Sequence, residues 1–380
     1  MPKPKIAIIE PVGGHGGMNY YDFGLASGIT QSCQQVVLYT SAETIVDKTY
    51  PFQIKKTFKG VWGKAHKVIR AVNFLKGLFK SLNDAKKNCI DITHFHFFHY
   101  GLQERLTIKL AKLFGFKIVI TAHDVESFHG KRDSEKAKLI LMMADAVIAH
   151  NLVSKKALIE KVDLPECLIN VIPHGNYIDL IEHRPKKPDA RQALGIDADK
   201  VILFFGQIKK VKGLDCLLEA LPSVLKQYPS AKLIIAGKMW KDDWGFYEEI
   251  IKTHKLAPSI IEHIHYIPDE DVSNYYCAAD IIALPYKEIY QSGVLLMAMS
   301  YKTPVVVSNI QGMTEVVKHN ENGFVFKQND PIDLAKQINS ALLDQSNLTQ
   351  IAEHGFQHMQ KDYNWNVIGK NTAKVYSSLF

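Results

Sequence analysis

Short apolar runs alternate with helix-like stretches along the chain, and this alternation is the feature that most restricts its fold. The runs cover residues 6–9, 36–39, 90–95, 118–121, 146–149, 168–172, 201–205, 233–236, 265–267, 281–284, 305–307 and 324–326. Strands that are apolar throughout and are separated by helices indicate a parallel sheet covered on both faces. The pattern therefore predicts an α/β protein.

A polar stretch at residues 181–200 interrupts the pattern before it restarts. It contains His-Arg-Pro-Lys-Lys-Pro-Asp at 183–189 and is typical of a linker. We therefore predict two Rossmann-like domains, residues 1–180 and 201–362, that face each other across a cleft. Open α/β sheets bind ligands beyond the carboxyl ends of their strands, so residues that directly follow a strand are candidate site residues.

The positive charge of the chain is concentrated in one segment. Residues 55–87 contain ten Lys or Arg and one acid, Asp84, so the segment carries +9 while all 380 residues carry +7. The rest of the chain therefore sums to −2. This distribution argues against a uniformly basic nucleic-acid-binding protein and leaves one basic patch to be explained.

Cysteine usage and hydropathy suggest where the protein works. The five cysteines are scattered and form no Cys-x-x-Cys pair, which argues against a disulfide framework and a structural zinc site. The N-terminus runs directly into a strand-like segment, so we expect no signal peptide. No apolar run approaches the roughly 18 residues of a spanning helix. We expect a reducing, cytoplasmic location, with any membrane contact peripheral.

Glycines follow the first predicted strand, in Gly-Gly-His-Gly-Gly at 13–17. At a turn from strand to helix, they let backbone N–H groups approach an anionic ligand. The spacing differs from Gly-x-Gly-x-x-Gly, which makes a nicotinamide site unlikely. A purely structural tight turn is the alternative.

Two segments of the second half also follow strands. Residues 205–215 place Lys212 just before a glycine-led helix, where an ammonium group can hold phosphate oxygens, although a solvated loop explains the lysines equally well. Ser292 is a predicted helix N-cap, so the N–H groups of residues 292–295 would face an anion. Glu288, on the preceding loop, could accept sugar hydroxyls. An ordinary capped helix is the alternative here.

Histidines and Asp-x-Asp triplets raise the question of a metal. His94 and His96 alternate on a strand with aromatic neighbours, so we favour packed or hydrogen-bonded side chains. His123 ends a very apolar strand and is a cleft candidate. The triplets at 197–199 and 269–271 are interpreted as helix caps. We therefore predict no metal site.

Taken together, these motifs resemble those of GT-B glycosyltransferases, and most of all the retaining family 4. The resemblance covers essentially the whole chain. It rests on Gly-Gly-His-Gly-Gly at 13–17, Thr-Ala-His-Asp at 121–124, Ala-Asp-Ala-Val-Ile-Ala at 144–149, Val-Ile-Pro-His-Gly at 171–175, Phe-Gly-Gln-Ile through Lys-Gly-Leu-Asp at 205–215, Ala-Ala-Asp-Ile-Ile-Ala-Leu-Pro-Tyr at 278–286, Thr-Pro-Val-Val-Val at 303–307, and Glu315 with Asn-Gly-Phe at 322–324. The C-terminal helix, residues 363–380, resembles the segment that crosses back onto the first domain in this family.

The resemblance implies transfer of a sugar from a nucleotide-diphosphate donor, with retention at the anomeric carbon. Because the acidic triplets are interpreted as caps, we expect the reaction to need no metal, and we expect no other cofactor. The resemblance also implies that the second domain binds the nucleotide and that the first receives the acceptor. His123, Lys212 and Glu288 are the implied catalytic residues, with Lys212 neutralising the leaving diphosphate and His123 contacting the donor sugar. The implied donor-binding residues are Gly16, Gly17, Gln207, Lys209, Ser292, Gly293, Val294 and Glu315.

Two departures from the family pattern limit this assignment. Gln207 stands where many members have arginine, and Met297 stands where a glutamate normally contacts the ribose. Glu288 is interpreted as a shifted substitute for the other glutamate of that pair. A sugar-nucleotide 2-epimerase of the same fold and a catalytically inactive subunit therefore stay open as alternatives.

The basic segment bears on the acceptor. Val68, Val72, Leu75, Phe79 and Leu82 are spaced so as to fall within one narrow helical stripe, flanked by lysines and arginine. An ordinary surface helix packed on its own domain has the same stripe. The charge excess favours an anionic membrane surface and a glycan or lipid-linked acceptor.

Overall fold

The computed structural model describes residues 3–13, 18–46, 48–63, 65–123, 131–240 and 243–380, and it divides into two compact units. The first unit comprises Met1–Gly175 with Tyr363–Phe380, and the second comprises Asn176–Asp362. Each is built around one parallel sheet with helices between the strands. The predicted fold class, two α/β domains with parallel sheets, is confirmed.

In the first unit the strand order is β3-β2-β1-β4-β5-β6-β7, so the order reverses between β1 and β4. The strands are β1 (Lys5–Glu10), β2 (Gln35–Ser41), β3 (Gln53–Phe58), β4 (Ile92–Phe97), β5 (Lys117–Ala122), β6 (Ala146–Ala149) and β7 (Ile169–Val171). The helices are α1 (Met18–Ile29), α2 (Lys67–Lys87), α3 (Leu102–Leu113), α4 (Lys131–Leu141), α5 (Leu152–Glu160) and α14 (Trp365–Ser377).

In the second unit the order is β10-β9-β8-β11-β12-β13, with the reversal between β8 and β11. The strands are β8 (Val201–Phe205), β9 (Lys232–Ala236), β10 (Ile260–His263), β11 (Ile281–Leu284), β12 (Val305–Ser308) and β13 (Phe324–Phe326). The helices are α6 (Lys187–Ala193), α7 (Leu214–Gln227), α8 (Trp244–Thr253), α9 (Val272–Ala278), α10 (Gly293–Ser300), α11 (Gln311–Thr314), α12 (Pro331–Leu343) and α13 (Gln345–Asp362).

Helix α14 belongs to the core of the first unit although it is the last helix of the chain. Ile368 and Tyr376 are buried in one cluster with Ile6 and Ile8 of β1 and with α1. The approach of α14 to α1 is as close as backbones allow: a Cβ built on Gly369 would lie 2.1 Å from the carbonyl carbon of Gly28. Only glycine at both positions permits this contact.

Trp365, the first residue of α14, fills a space that two other glycines leave open. A Cβ on Gly24 would lie 2.1 Å from the indole, and one on Gly175 would lie 2.4 Å from it. The indole also meets the Tyr21 ring edge-on at 5.4 Å between centroids. The C-terminal helix is therefore fitted into the first unit by shape as well as by hydrophobicity.

The segment 181–200, predicted to be a linker, is part of the second unit, and the first unit ends at residue 175 rather than 180. Within the segment, α6 is tied to the sheet by the buried carboxylate of Asp280. Asp280 pairs with Lys187 at 2.7 Å and with Arg191 at 2.6 Å, and it also accepts the N–H of Val201 at 2.7 Å. Lys187 and Arg191, within the predicted linker, therefore pair with one buried acid instead of facing only solvent.

Two strands differ from the sequence prediction. Strand β3 was not predicted. In the second unit, the strand expected at 265–267 is instead formed by Ile260–His263 as β10. Both strands lie at a sheet edge, next to a single neighbour. An edge strand buries less of its surface, so its sequence carries a weaker apolar signal.

Helix α2 carries two apolar faces. Its buried face consists of Phe74, Gly77, Leu78, Ser81, Leu82 and Ala85. The predicted stripe lies mostly elsewhere: Leu82 is buried, but Val68, Val72, Leu75 and Phe79 are 62%, 44%, 41% and 58% exposed. Packing on the first unit therefore does not account for this stripe. In the part of the chain that the structure describes, no helix combines the length and apolarity that crossing a membrane requires.

Candidate active site

The carboxyl end of the second sheet gathers the residues that the sequence predicted for the donor. The strand order reverses between β8 and β11, and ligands of open α/β sheets bind beyond such a point. The loop after β8 leads through a short 3-10 turn, Lys210–Lys212, to Gly213 and α7. Gly213 has a left-handed backbone (φ +69°), and a Cβ there would lie 1.9 Å from the Pro285 carbonyl oxygen. The turn is thus pressed directly against the loop after β11.

Lys212 lies on an aromatic ring that the same loop provides. Its Nζ is 3.8 Å from the centroid of the Tyr286 ring, a distance typical of a cation–π contact. Tyr286 is 1% exposed, so its ring is buried, and its backbone carbonyl accepts the Ser308 hydroxyl at 2.6 Å. On the other side, the Lys287 N–H donates to the Val211 carbonyl at 2.8 Å. These contacts fix the position of the Lys212 ammonium group.

The neighbouring Lys287, on the loop after β11, is neutralised by an acid, whereas Lys212 is not. Lys287 pairs with Asp215 of α7 at 2.5 Å between Nζ and Oδ2. Among the described residues, no carboxylate lies within ion-pair distance of Lys212. Its positive charge is therefore available to an anionic ligand.

The N-terminus of α10 lies next to this lysine-bearing loop. Ser292 is 5% exposed and its hydroxyl accepts the Leu295 N–H at 3.2 Å, so the predicted N-cap is confirmed. Val294 packs on the loop after β8, because a Cβ on Gly206 would lie 3.1 Å from its Cγ2. The Tyr177 hydroxyl lies over Gly293. The arrangement joins one free cation to a helix N-terminus, the usual elements of a phosphate site.

The other predicted donor residues lie on the loop after β8, on the loop after β11 and at the end of α11. Gln207 and Glu288 are exposed, and Lys209 lies 5.5 Å above the Trp240 ring. Glu315 ends α11, whose Gly312 touches the carbonyl of Ile289. Gly16 and Gly17, like the rest of 14–17, lie outside the described residues.

In the first unit, His123 joins two other histidines in a hydrogen-bonded row. His123 Nε2 is 2.9 Å from His96 Nδ1, and His123 Nδ1 is 3.2 Å from His150 Nε2. The row ends at the Ile172 carbonyl, 3.1 Å from His150 Nδ1. Phe98 stacks on the His123 ring at 4.7 Å between centroids. Both ring nitrogens of His123 are therefore already hydrogen-bonded.

Burial keeps these histidines neutral. It lowers the pKa of His150 to about 3, and together with the neighbouring imidazoles it holds the pKa values of His96 and His123 well below their usual range. The interpretation of His94 and His96 as hydrogen-bonded side chains agrees with the structure. His94 contacts the Tyr376 hydroxyl and the Thr121 hydroxyl, each at 2.7 Å.

The acidic triplets are bonded differently from the prediction. Asp271 precedes α9, but its side chain makes no capping hydrogen bond, and Asp199 accepts the Ser230 hydroxyl at 2.7 Å. Over the described ranges, no three His, Cys, Asp or Glu side chains are grouped so that they could hold a metal ion. All five cysteines are free thiols.

Comparison with known proteins decides the class. Residues 186–358 match the family model described as "Glycosyl transferases group 1", and these residues make up most of the second unit. The second unit thus resembles the glycosyltransferase group 1 family over nearly all of its length. The predicted class, a glycosyltransferase with the GT-B fold, is thereby confirmed.

Relatives of this glycosyltransferase are distant in sequence. The putative glycosyltransferase YtcC of Bacillus subtilis is 27% identical over 69% of this chain and 67% of that protein. The uncharacterized glycosyltransferase MJ1607 of Methanocaldococcus jannaschii is 29% identical over 56% of this chain, and the match spans 54% of that protein, little more than half its length. The crystal structure of Anabaena HepE in complex with UDP has a TM-score of 0.75 and 20% identity, covering 98% of this chain and 100% of that one.

Sequence reasoning missed the contacts that support the candidate phosphate site. The sequence analysis identified Tyr286 only as part of a motif and Lys287 only as the residue after it. Nothing in their spacing predicts that the Tyr286 ring contacts Lys212 or that Lys287 forms an ion pair with Asp215. The only available signal was indirect: Lys-Gly-Leu-Asp at 212–215 and Pro-Tyr-Lys at 285–287 each follow a strand next to the point of reversal.

Proposed function

We propose that this glycosyltransferase moves a sugar from a nucleotide-diphosphate donor to a glycan or lipid-linked acceptor, with retention at the anomeric carbon and without a metal. The observation that carries the proposal is the unpaired ammonium group of Lys212, held on Tyr286 beside the N-terminus of α10. A fixed cation and backbone N–H groups at a helix N-terminus are suited to bind a diphosphate.

The chemistry assigned to the site follows from where charge develops. As the bond between the anomeric carbon and the phosphate oxygen breaks, negative charge grows on the leaving diphosphate. A cation already in position stabilises that charge at no cost of rearrangement in the transition state. Lys212 and the N–H groups near Ser292 supply it, so a divalent metal is not needed. Glu288 on the adjoining loop accepts hydroxyl groups of the sugar, and the departing phosphate takes the proton of the acceptor.

A nucleotide donor is also supported by a structural neighbour. HepE of Anabaena, which has the same fold, has been crystallised with UDP and with UDP-glucose. The residues of the present chain favour neither uridine nor guanosine, and Met297 stands at the expected ribose position.

The proposal is tested by melting the protein with a panel of nucleotide sugars and then assaying transfer with those that bind. A ligand that binds only the folded protein at a hundredfold excess over Kd stabilises it by roughly 2.7 kcal/mol. We expect one donor to raise the melting temperature, and we expect both binding and transfer to persist in excess EDTA. Binding without transfer to any acceptor would support the inactive subunit, and C2 epimerisation of the donor would support the epimerase.

The basic surface of the first unit points to an acceptor held at a membrane. The exposed stripe of α2 (Val68, Val72, Leu75 and Phe79) lies beside Lys76 and Lys80, and the acid of this segment, Asp84, is already paired with Lys55 at 2.5 Å. Exposed apolar groups next to unpaired basic groups suit an anionic lipid surface. We propose that α2 brings the enzyme to a lipid-linked acceptor.

Flotation with lipid vesicles measures this binding. We expect the protein to float with vesicles that contain anionic lipid and to stay behind with neutral ones. Because each basic residue near such a surface contributes about 1 kcal/mol, Lys76→Gln/Lys80→Gln should weaken binding roughly tenfold or more. Val72→Ser/Phe79→Ser should also weaken it, whereas the matched control Ile332→Ser/Leu343→Ser, which removes exposed apolar groups of the second unit, should not. Equal binding to both kinds of vesicle, or none, would remove the membrane role.

A further inference from the structure

Tyr177 contacts both ends of α10, although it lies outside this helix and outside the loops of the candidate site. Its backbone N–H donates to the hydroxyl of Ser300, the last residue of α10, at 3.1 Å. Its own hydroxyl oxygen lies 2.9 Å from the point that a Cβ of Gly293, the first residue of α10, would occupy, whereas the ring carbon Cζ lies at 3.9 Å. The hydroxyl is therefore the part of Tyr177 that meets the N-terminus of α10.

The backbone on either side of Tyr177 is held by the preceding asparagine. Asn176 is 3% exposed, and its Nδ2 donates to the Met359 carbonyl of α13 at 2.8 Å. Its Oδ1 accepts the Ile178 N–H at 3.0 Å. Together with the bond to Ser300, these contacts attach the start of the Tyr177 side chain to both α10 and α13.

Hydrogen-bond donors are left over at the N-terminus of α10. Ser292 Oγ accepts the Leu295 N–H, but the N–H groups of Gly293 and Val294 have no partner among the residues that the structure describes. The first N–H groups of a helix have no carbonyl within the helix to bond to, which explains why these two remain. The hydroxyl of Tyr177 lies at the same place. Burial raises the pKa of Tyr177 to about 12, so the hydroxyl keeps its proton at neutral pH and can donate it.

We infer that Tyr177 is a further residue that binds the donor substrate, and that its hydroxyl donates a hydrogen bond to an oxygen of the diphosphate at the N-terminus of α10. The inference rests on the proposed function, which places that diphosphate beside Lys212 and the first N–H groups of α10. A hydroxyl suits this place because it can rotate about its C–O bond to follow a phosphate oxygen. It also adds no further charge to a site whose cation is Lys212.

Glycine at position 293 provides the space that this hydroxyl occupies. The backbone of Gly293 lies outside the left-handed region, so its conformation alone would accept alanine. An alanine Cβ would nevertheless come within 2.9 Å of the Tyr177 hydroxyl oxygen, which is closer than such contacts allow, and the hydroxyl would have to move. With phenylalanine at 177 the nearest ring atom would be Cζ at 3.9 Å, an ordinary contact.

Calorimetric titration of the full chain measures the proposed contact. The ligand is whichever of UDP, GDP and ADP binds most tightly, and the corresponding nucleoside, which lacks both phosphates, is titrated in parallel. Tyr177→Phe keeps the ring and removes only the hydroxyl. We expect it to weaken binding of the nucleoside diphosphate about tenfold or more, because a hydrogen bond to a charged group is lost, and to leave the affinity for the nucleoside unchanged.

Tyr301→Phe is the matched control. Tyr301 follows the last residue of α10, so it lies at the opposite end of the helix from the proposed contact, and its ring stacks on Tyr276 at 5.0 Å between centroids. We expect this variant to bind both ligands as the wild type does.

A double-mutant cycle tests the position of the hydroxyl. Gly293→Ala should weaken binding of the nucleoside diphosphate in the wild-type background, because it displaces the Tyr177 hydroxyl. The same substitution should cost little further affinity in Tyr177→Phe, where no hydroxyl is present to be displaced. The two losses should therefore be strongly non-additive, as expected for residues in contact.

Several results would overturn the inference. Unchanged binding of the nucleoside diphosphate in Tyr177→Phe would show that the hydroxyl does not contact the phosphates, and an equal loss for the nucleoside would show that Tyr177 has only a structural role. A similar loss in Tyr301→Phe, or fully additive losses in the cycle, would contradict the assigned position. In all these cases the wild type still binds a nucleoside diphosphate, and the proposed function stands. If the wild type binds none of the three, the proposed function fails together with this inference.

Discussion

Replacing Lys212 with alanine should lower kcat by about 10²–10³-fold while the fold stays intact. Removing one preorganised group that stabilises developing charge has an effect of this size. The loss falls on kcat more than on KM, because the charge on the leaving diphosphate is largest in the transition state. Lys212 cannot be replaced by Lys287 next to it, since that ammonium group is held by Asp215.

Steady-state kinetics and thermal melting of the purified variant check this expectation. Lys226→Ala is the matched control, because Lys226 is an exposed lysine near the other end of α7. Tyr286→Phe should keep most of the activity, since it preserves the ring that carries Lys212, whereas Tyr286→Leu should behave more like Lys212→Ala. Near-normal turnover in Lys212→Ala would contradict its assignment and, with it, the observation on which the proposed function rests.

Substituting valine for Gly369 should destabilise the first unit by about 3 kcal/mol or more. Its side chain would have to occupy the space of the Gly28 backbone, 2.1 Å from a carbonyl carbon, and backbone atoms of two packed helices cannot move aside as a flexible side chain can. For a unit of this size, such a loss lowers the melting temperature by roughly 6–12 °C. The second unit does not include Gly369, so we expect its transition to change little.

Calorimetry resolves this prediction if the two units melt separately, and denaturant unfolding followed by tryptophan fluorescence, with Trp365 in the affected unit, provides a second measurement. Lys370→Val is the control at the next, exposed position of α14, where valine costs only its lower helix propensity, about 0.5 kcal/mol. An equal loss of stability in both variants would show that the close contact between α1 and α14 does not make position 369 more sensitive than an exposed position.

The sequence predicted the parts of the fold whose signal is local. Central strands such as β8 and β11 are apolar throughout and were placed within a residue or two of their bounds. The edge strand β3 has the sequence Gln-Ile-Lys-Lys-Thr-Phe, and its two lysines hide the alternation. For α2, hydrophobic periodicity identified an apolar stripe, but it could not show that the helix packs on the sheet through a different face. Which face is buried depends on the neighbouring strand β3, whose Phe58 packs on Gly77.

For the candidate site, the sequence located loops but not their internal contacts. The sequence predicted that Lys212 and Ser292 lie at the same edge of the sheet, because both follow strands next to the point where the strand order reverses. The pairing of Lys212 with Tyr286 depends on a close approach at Gly213, which no spacing rule contains. His123 was expected to be available to the donor sugar, whereas its ring nitrogens are bonded to His96 and His150. Those partners lie 27 residues away on either side, on neighbouring strands or the loops that follow them.

The discontinuity of the first unit has a consequence for how the protein is made. Its core is incomplete without Trp365, Ile368 and Tyr376, which leave the ribosome only after all of residues 176–362. Domains usually fold in the order of synthesis, N-terminal first. Here the second unit is continuous and can complete its folding first. Until α14 has been synthesised, the surface of α1 that it covers stays exposed in the first unit. During synthesis the unit that begins the chain is thus the one that chaperones must protect longest.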